Sequence, residues 1–348
     1  MQELEVVDKY KYLGVDFASN LSWKIVCSRL AKKARSRLGL VSKAMSEGLS
    51  FEAGERLWTS IIRPVLEYGA EVIGGVWLEA ELIQNEVGRR LLGANLKTAI
   101  DVIRGEIGWW SMKSRRDLIK LRYWGRICRL KEDMMVKKIY RLLKNRNENI
   151  KSSWFHQIKT RLVNLNLAHV WDSEEVGTKS NWNTTVGRSL RNREVSEWKT
   201  RMTNKPKLRL YRVLKLDLNR EEYLGMLLTF AQRKALTSMR SGTHVLRIET
   251  GRWEKTEYNE RICKLCNNSV ENEEHFFINC YVLERIRDTL VSIRSDCGVD
   301  ISVMDKAASM TFLLANSCRA RETRCQVARH VADYIIKASW LRSKLLGL

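Results

Sequence analysis

Four residues of types that bind metal ions lie close together in the chain. Cys263, Cys266, His275 and Cys280 form a Cys-x2-Cys-x8-His-x4-Cys run. Three thiolates and one imidazole make up the Cys3His set that suits a tetrahedral zinc ion. The two-residue gap lets both cysteines of a tight turn reach one metal, and the later pair lies about one helical turn apart. Because four protein ligands leave no open coordination position, the run predicts a structural Zn2+ rather than one that activates water.

The alternative is that ordinary buried cysteines lie near a histidine by chance, but four ligands at metal-type spacings favour zinc. His244 is separated from the first cysteine pair by more than a short turn, so we do not expect it to compete. The acidic pair Glu273-Glu274 is predicted to be polar surface of the zinc module. We expect packed or exposed side chains without a metal at the remaining positions, Cys27, Cys128, Cys297, Cys318, Cys325 and His330.

The charge balance favours a polyanionic partner. Lysine and arginine number 62 against 40 aspartates and glutamates, a net charge of +22. Such an excess predicts binding to nucleic acid ahead of an anionic membrane surface. The first residues do not read as a secretory signal, and no apolar stretch approaches the ~20 residues that a bilayer requires. We therefore expect an intracellular protein of the nucleus or cytoplasm, with eight cysteines kept reduced.

The cations are concentrated on two predicted helices. No acidic residue lies between Asp16 and Glu47. Uncompensated cations on one helix face repel each other, and a phosphate backbone would relieve that repulsion. The alternative is an ordinary solvated face, which usually mixes both signs. The predicted nucleic-acid-binding residues are Lys24, Arg29, Lys32, Lys33, Arg35 and Arg37 on the first helix, and Arg115, Arg116, Lys120, Arg122 and Arg126 on the second. Trp109, Trp110, Tyr123 and Trp124 lie among the second set, where they either stack on unpaired bases or belong to the core.

With two prolines and few turn clusters, the sequence predicts a mainly α fold. Alternation over residues 5–8 and 11–17 predicts a short N-terminal β-hairpin that turns at Asp8-Lys9. Clusters of Asn, Ser, Thr and Gly between Asp172 and Ser189 predict a loop or an insertion boundary, within a stretch that could be partly disordered. The apolar periodicity predicts helices over about Trp23–Met45, Phe51–Leu66, Leu78–Leu92, one long helix after Ser114 through Leu142, Glu221–Met239, Leu283–Ile293, and a C-terminal stripe from Val327 to Leu341.

Several segments, in order, resemble the reverse transcriptases of animal LINE-type (non-LTR) retrotransposons. The block Leu246–Trp253, followed by Glu260–Cys266 and Glu273–Phe277, is similar to the C-terminal segment of those enzymes. The likeness covers roughly residues 5–130 and 235–295. The other segments that carry it are Lys11–Val15, Leu21–Lys24, Leu57-Trp58, Ile61–Gly69, Gln84, Arg90-Leu91, Gly105–Gly108 and Arg115-Arg116.

The resemblance implies the thumb and zinc-knuckle tail of such a polymerase. The family's catalytic palm carries an Asp-Asp loop that holds two metal ions, and this sequence contains no Asp-Asp dipeptide. We expect palm and fingers to lie upstream of Met1, and a nuclease signature to be absent. The expected divisions are a hairpin and thumb-like helical domain (1–147), a basic linker (148–230), the CCHC zinc module (231–295) and a C-terminal helical segment (296–348).

The expected function is therefore binding of template RNA or an RNA–DNA hybrid during target-primed reverse transcription, by a chain that is not itself an enzyme. Expected partners are RNA, DNA or their hybrid, the missing polymerase portion or a full-length element protein, and no membrane. One alternative is a zinc-containing helical protein–protein adaptor, which predicts weak, salt-indifferent nucleic-acid binding. Another is a truncated gene model of a complete RNA-directed DNA polymerase, which an upstream reading frame with the Asp-Asp loop would establish.

Overall fold

A computed structural model describes residues 7–20, 22–315 and 320–347. It is mostly helical and begins with a two-stranded antiparallel hairpin, so the predicted fold class is confirmed. Among the predicted features, residues 5 and 6 of the hairpin, Leu21 and Cys318 lie outside the described residues. In the part of the chain that the structure describes, no helix is both long and apolar enough to span a membrane.

The strands are β1 (Lys9–Tyr12) and β2 (Val15–Ala18). The α-helices of the first half are α1 (Lys24–Arg35), α2 (Leu38–Ser46), α3 (Phe51–Leu57), α4 (Arg63–Glu67), α5 (Leu78–Leu92), α6 (Ile100–Ile107), α7 (Met112–Cys128), α8 (Met135–Asn147) and α9 (Trp154–Asn164). Those of the second half are α10 (Ala168–Ser173), α11 (Lys179–Thr203), α12 (Arg209–Leu214), α13 (Phe230–Arg240), α14 (Arg247–Trp253), α15 (Asp288–Cys297), α16 (Lys306–Ala315) and α17 (Arg321–Leu345). Wider π-helical turns cover Trp58–Ile62 and His275–Asn279, and 3₁₀ turns cover Pro206–Leu208, Glu222–Gly225, Tyr258–Glu260, Tyr281–Ile286 and Ile301–Val303.

The hairpin turns at Leu13-Gly14, so the predicted turn at Asp8-Lys9 was wrong. Lys9 pairs with Ala18 and Tyr12 with Val15, which leaves a two-residue loop. Both loop residues have positive φ, 45° and 78°, as a tight hairpin turn of this type requires. Glycine adopts such a φ without strain, and it is Gly14 that marks the turn in the sequence.

Two predicted long helices are each broken into two. Between α1 and α2 the chain tightens at Arg37, whose guanidinium donates to the Ile61 carbonyl oxygen at 2.9 Å. Between α7 and α8 the carbonyl of Cys128 accepts from the buried Lys137 ammonium at 3.0 Å, in place of a helical N–H. Lys137 thus satisfies the terminal carbonyl of α7, and apolar periodicity reveals neither contact.

Of the stretch predicted as a loop, only residues 174–178 lie outside helices, and from Lys179 onward it belongs to the 25-residue helix α11, so the prediction was wrong there. Asn, Ser and Thr favour helices weakly, but tertiary burial overrides that preference. The buried positions recur every four residues, at Trp182, Val186, Leu190, Glu194, Trp198 and Met202. The predicted helix over Glu221–Met239 begins only at α13, where Thr229 and Gln232 form a capping box.

Contacts divide the chain into two compact units, each made of three segments. Unit 1 takes in the described residues of 1–39, 57–86 and 110–197, and unit 2 those of 40–56, 87–109 and 198–348. The four sequence-contiguous domains stay a prediction.

Unit 1 has a core built on tryptophan. Trp124 of α7 stacks on Trp171 with ring centroids 5.9 Å apart and lies 5.5 Å from Trp182. The indole N–H groups are satisfied: Trp124 donates to Tyr140 at 3.1 Å, and Trp182 to the carbonyl of Leu121 at 2.9 Å. Trp124 therefore belongs to the core and is not available to stack on a base.

In unit 2 the C-terminal helix α17 is the central element. Its predicted apolar stripe is buried at Val327, Val331, Tyr334, Ile335 and Ala338. Helix α17 packs on α13, α15 and α16, which cover this stripe. This helix also forms one wall of the candidate metal centre.

Candidate metal centre

The structure brings the four predicted ligands together. Cys263, Cys266, His275 and Cys280 are all buried, and their ligand atoms lie within 4.8 Å of one another. The Cys266 Sγ and His275 Nε2 atoms are 3.3 Å apart. A tetrahedral ion with bonds of about 2.0–2.3 Å places its ligand atoms roughly 3.3–3.8 Å apart. The cluster could therefore hold a metal ion at its centre.

A short hairpin supplies the first two ligands. Ile262 and Val270 form an antiparallel bridge, and the Cys263 N–H donates to the Ser269 carbonyl at 2.9 Å. The Asn267 N–H donates back to the Cys263 carbonyl at 2.9 Å and closes the turn that contains Cys266. Both thiols consequently point to the same side of the turn.

A π-helical turn supplies the other two ligands. The Asn272 side chain caps it by accepting from the His275 N–H at 2.7 Å. The Cys280 N–H donates to the His275 carbonyl at 2.8 Å, a five-residue hydrogen bond. The expected spacing of about one helical turn is thus met by the wider π turn, which brings side chains five residues apart onto one side.

Ser269 orients the imidazole. Its hydroxyl lies 2.8 Å from His275 Nδ1, which leaves Nε2 facing the thiols. An outer partner of this kind fixes the ring orientation and tautomer of a metal-binding histidine. The sequence shows Ser269 only as a loop residue, so its role was not predicted.

Two of the thiols influence each other's pKa. The hydrogen bond with Cys280, together with burial, raises the pKa of Cys263 to about 12. The same hydrogen bond from Cys263 lowers the pKa of Cys280. Neighbouring thiolates repel each other, which opposes deprotonation of the thiols. A bound cation would offset this repulsion by binding the deprotonated sulfurs.

Helix α17 contacts the segment around the cluster through one buried ion pair and through the side chain of Tyr334. Arg342 donates to Glu271 through Nε at 2.7 Å and Nη2 at 2.9 Å, and Glu271 lies 3.8 Å from the Cys263 sulfur. The Tyr334 hydroxyl donates to the Phe276 carbonyl, and its ring stacks on Phe277 with centroids 5.2 Å apart. Sequence periodicity places Arg342 near the end of a helix but gives no sign that it pairs with Glu271.

His244 and the acidic pair Glu273-Glu274 lie outside the cluster. His244 bonds to the Glu273 carboxylate at 3.0 Å, which accounts for its position outside the cluster. The prediction that Glu273 is polar surface was wrong, because the residue is buried and also accepts from Arg209. Glu274, by contrast, is partly exposed and lies 3.3 Å from Lys306.

The cysteines outside the cluster show no disulfide among the described residues. Cys27, Cys128 and Cys325 are free thiols of intermediate exposure. His330 lies 2.9 Å from Asp296. The side chain of Cys297 is outside the described set.

Five of the eleven predicted nucleic-acid-binding residues are engaged within unit 1. Arg116 and Lys120 are buried and donate to the carbonyls of Leu66 and Ile73, so neither can contact a phosphate and their prediction was wrong. Burial lowers the pKa of Lys120 to about 7. The other three are tied to protein partners: Arg29 to Asp16, Arg37 to Ile61 and Arg115 to Glu67.

The remaining six are exposed. They are Lys24, Lys32, Lys33 and Arg35 on α1, and Arg122 and Arg126 on α7. Arg35 lies 3.7 Å from Glu86, a contact that solvent screens. The other five have no ion pair to a described carboxylate, so their charge is open to a polyanion.

Fold and site thus define a mainly α chain with a buried Cys3His cluster that could hold a metal. No protein-family model, curated protein or solved structure matches it.

Proposed function

We propose that this chain binds nucleic acid, with Zn2+ in the Cys3His cluster as a structural ion. The observation that carries the proposal is the exposed, unpaired set of lysines on α1, Lys24, Lys32 and Lys33, in a stretch with no acidic residue from 17 to 46. Lys32 lies three residues before Arg35, and like-charged neighbours at this spacing repel each other unless a polyanion neutralises them. Phosphate binding releases condensed counterions, and that release supplies affinity without any base contact.

Zinc fits the ligand set better than other common ions. Thiolates exclude Mg2+ and Ca2+ as residents, since those ions prefer oxygen ligands. A tetrahedral Cys3His set is typical of structural zinc. Binding of about 10–16 kcal/mol is enough to fold a small module of this kind, so the ion would keep residues 255–295 in shape against α17.

The resemblance to LINE-type reverse transcriptases suggests which nucleic acid is bound. On that basis the chain is the thumb and zinc-knuckle tail of such a polymerase, and it holds element RNA or the RNA–DNA hybrid during target-primed synthesis. The chemistry of nucleotide addition is assigned to residues outside this sequence, which has no Asp-Asp loop.

A charge-neutralising variant tests the proposal. Lys24→Gln/Lys32→Gln/Lys33→Gln should reduce the slope of log affinity against log salt by about 3, or about 1 per lysine. The matched control Lys131→Gln/Lys138→Gln/Lys151→Gln removes the same charge from other exposed positions and should change the slope less. Equal effects of the two variants would show that α1 has no special part in binding. Weak binding by the native chain, indifferent to salt, would favour the adaptor alternative.

A further inference from the structure

Unit 1 contains a basic cleft beside an aromatic ring. The cleft has a volume of about 650 Å3 and lies between α7 and the first turns of α11. Its polar lining includes Arg122 and Arg126 of α7, Arg129 directly after the end of α7, and Lys179 and Asn183 of α11. Pockets of about 300–1,000 Å3 are large enough for a small ligand.

The cations of the cleft have no ion-pair partner in the part of the chain that the structure describes. Arg122 and Arg126 lie four residues apart on one face of α7, and Arg129 follows three residues later, directly after the helix ends. Neither they nor Lys179 form an ion pair with a carboxylate of the described residues, although Glu71 also lines the cleft. The Nη1 group of Arg129 is buried and has no hydrogen-bond partner among the described residues. A buried donor without an acceptor is unfavourable, and an anion in the cleft would supply the acceptor.

Tyr123 provides a flat surface in the same cleft. It is half-buried, and its ring meets the edge of Trp154 with centroids 6.3 Å apart and planes at 76°. The Trp154 indole N–H donates to the Glu71 carbonyl at 2.7 Å, which fixes the ring that supports Tyr123. A ring held in place loses little freedom when a base stacks on it.

We propose that this cleft binds single-stranded nucleic acid, with a backbone phosphate on Arg126 and Arg129 and the neighbouring unpaired base on Tyr123. The inference rests on the proposed function and names the form of nucleic acid that this site takes. A duplex keeps its base faces stacked internally and cannot present one to Tyr123, whereas an unpaired strand can.

The test uses the full zinc-loaded chain and fluorescence anisotropy. The probes are an oligouridylate of about 12 nucleotides, within the usual site size for single strands, and an RNA duplex of equal length. Tyr123→Leu should weaken binding of the oligouridylate about 5- to 100-fold, as expected for one stacked base, and change duplex binding less than about 2-fold. Tyr123→Phe keeps the ring and should match the native chain.

A second variant tests the cations without touching the core. Arg126→Gln/Arg129→Gln should reduce the salt slope for the oligouridylate by about 1.4, or about 0.7 for each phosphate contact to a single strand. The control Lys138→Gln/Arg188→Gln removes equal charge from exposed positions of the same unit and should reduce the salt slope less.

The results distinguish failure of the cleft assignment from failure of the proposed function. If the native chain binds the oligouridylate and Tyr123→Leu binds it equally well, the cleft is not the site, while surface binding stands. If Tyr123→Leu lost equal affinity for the oligouridylate and for the RNA duplex, stacking on Tyr123 would likewise be refuted. If the native chain binds neither probe in dilute buffer, the proposed function fails and the cleft assignment fails with it.

Discussion

Arg342 on α17 offers a sharp test of how the candidate metal centre is held. Its side chain is 4% exposed, that of Glu271 is 2% exposed, and two hydrogen bonds join them. Arg342→Met removes both donors and keeps an apolar stem of similar length. The Glu271 carboxylate would then retain the Arg247 backbone N–H at 2.8 Å but no cation.

The expected cost follows from that burial. Removing one partner of a buried ion pair costs about 3–5 kcal/mol, because the other charge stays buried and unpaired. Since one N–H donor remains, we expect the lower end, about 3 kcal/mol. That is a change of roughly 100-fold in the unfolding equilibrium constant.

Urea unfolding at pH 7, followed by circular dichroism with zinc present, measures this change. Lys344→Met on the same helix is the control, because Lys344 is exposed and its loss should cost less than about 0.5 kcal/mol. Glu271→Gln/Arg342→Met should recover part of the loss, since no charge is then left unpaired. If Arg342→Met were as stable as Lys344→Met, the buried pair would not hold α17 against the cluster.

Three further predictions concern the ligands, a buried lysine and the tryptophan core. The double variant Cys263→Ser/Cys266→Ser should lose its zinc, as measured by metal analysis, and the backbone amides of residues 255–295 should exchange their hydrogens faster. Retention of one equivalent of zinc would refute the ligand assignment. Burial lowers the pKa of Lys120 to about 7, so between about pH 7 and 10 only the unfolded chain carries that proton and stability rises with pH. The free energy of unfolding of Lys120→Met should exceed that of the native chain most near or below pH 7. This difference, on the order of 3–5 kcal/mol, should disappear towards pH 10, and a difference that does not change with pH would contradict the lowered pKa. Trp124→Ala should destabilise unit 1 by about 3–5 kcal/mol in thermal or urea unfolding. The control Lys138→Ala, at an exposed position, should cost less than about 0.5 kcal/mol. A loss of less than about 1 kcal/mol for Trp124→Ala would show that Trp124 is not the centre of this core.

The Cys3His cluster and the fold class were within reach of the sequence because both follow short-range rules. Ligand spacing is a local property, and four such residues within a short run leave little freedom. Helix α5 was also predicted with its observed bounds, Leu78–Leu92, since its apolar period is regular and uninterrupted.

Most features that sequence analysis missed depend on tertiary contacts that a helical pattern does not encode. Lys137 ends α7 from beyond a break, and Arg342 reaches Glu271 across 71 positions. Helix α11 was hidden by its polar composition, although a period of four from Trp182 to Met202 was present and could have revealed it. Arg116 and Lys120 illustrate the same limit, since a charged residue on a helix face gives no sign of whether that face is covered.

The salt dependence of binding by the native chain tests the central claim most directly. The zinc-loaded protein would be titrated against single-stranded RNA and an RNA–DNA hybrid at increasing salt. Six exposed cations, at about 0.7–0.9 each, predict a slope of roughly −4 to −5 for log affinity against log salt. A slope near zero, or no binding in dilute buffer, would contradict a cationic surface made for a polyphosphate strand.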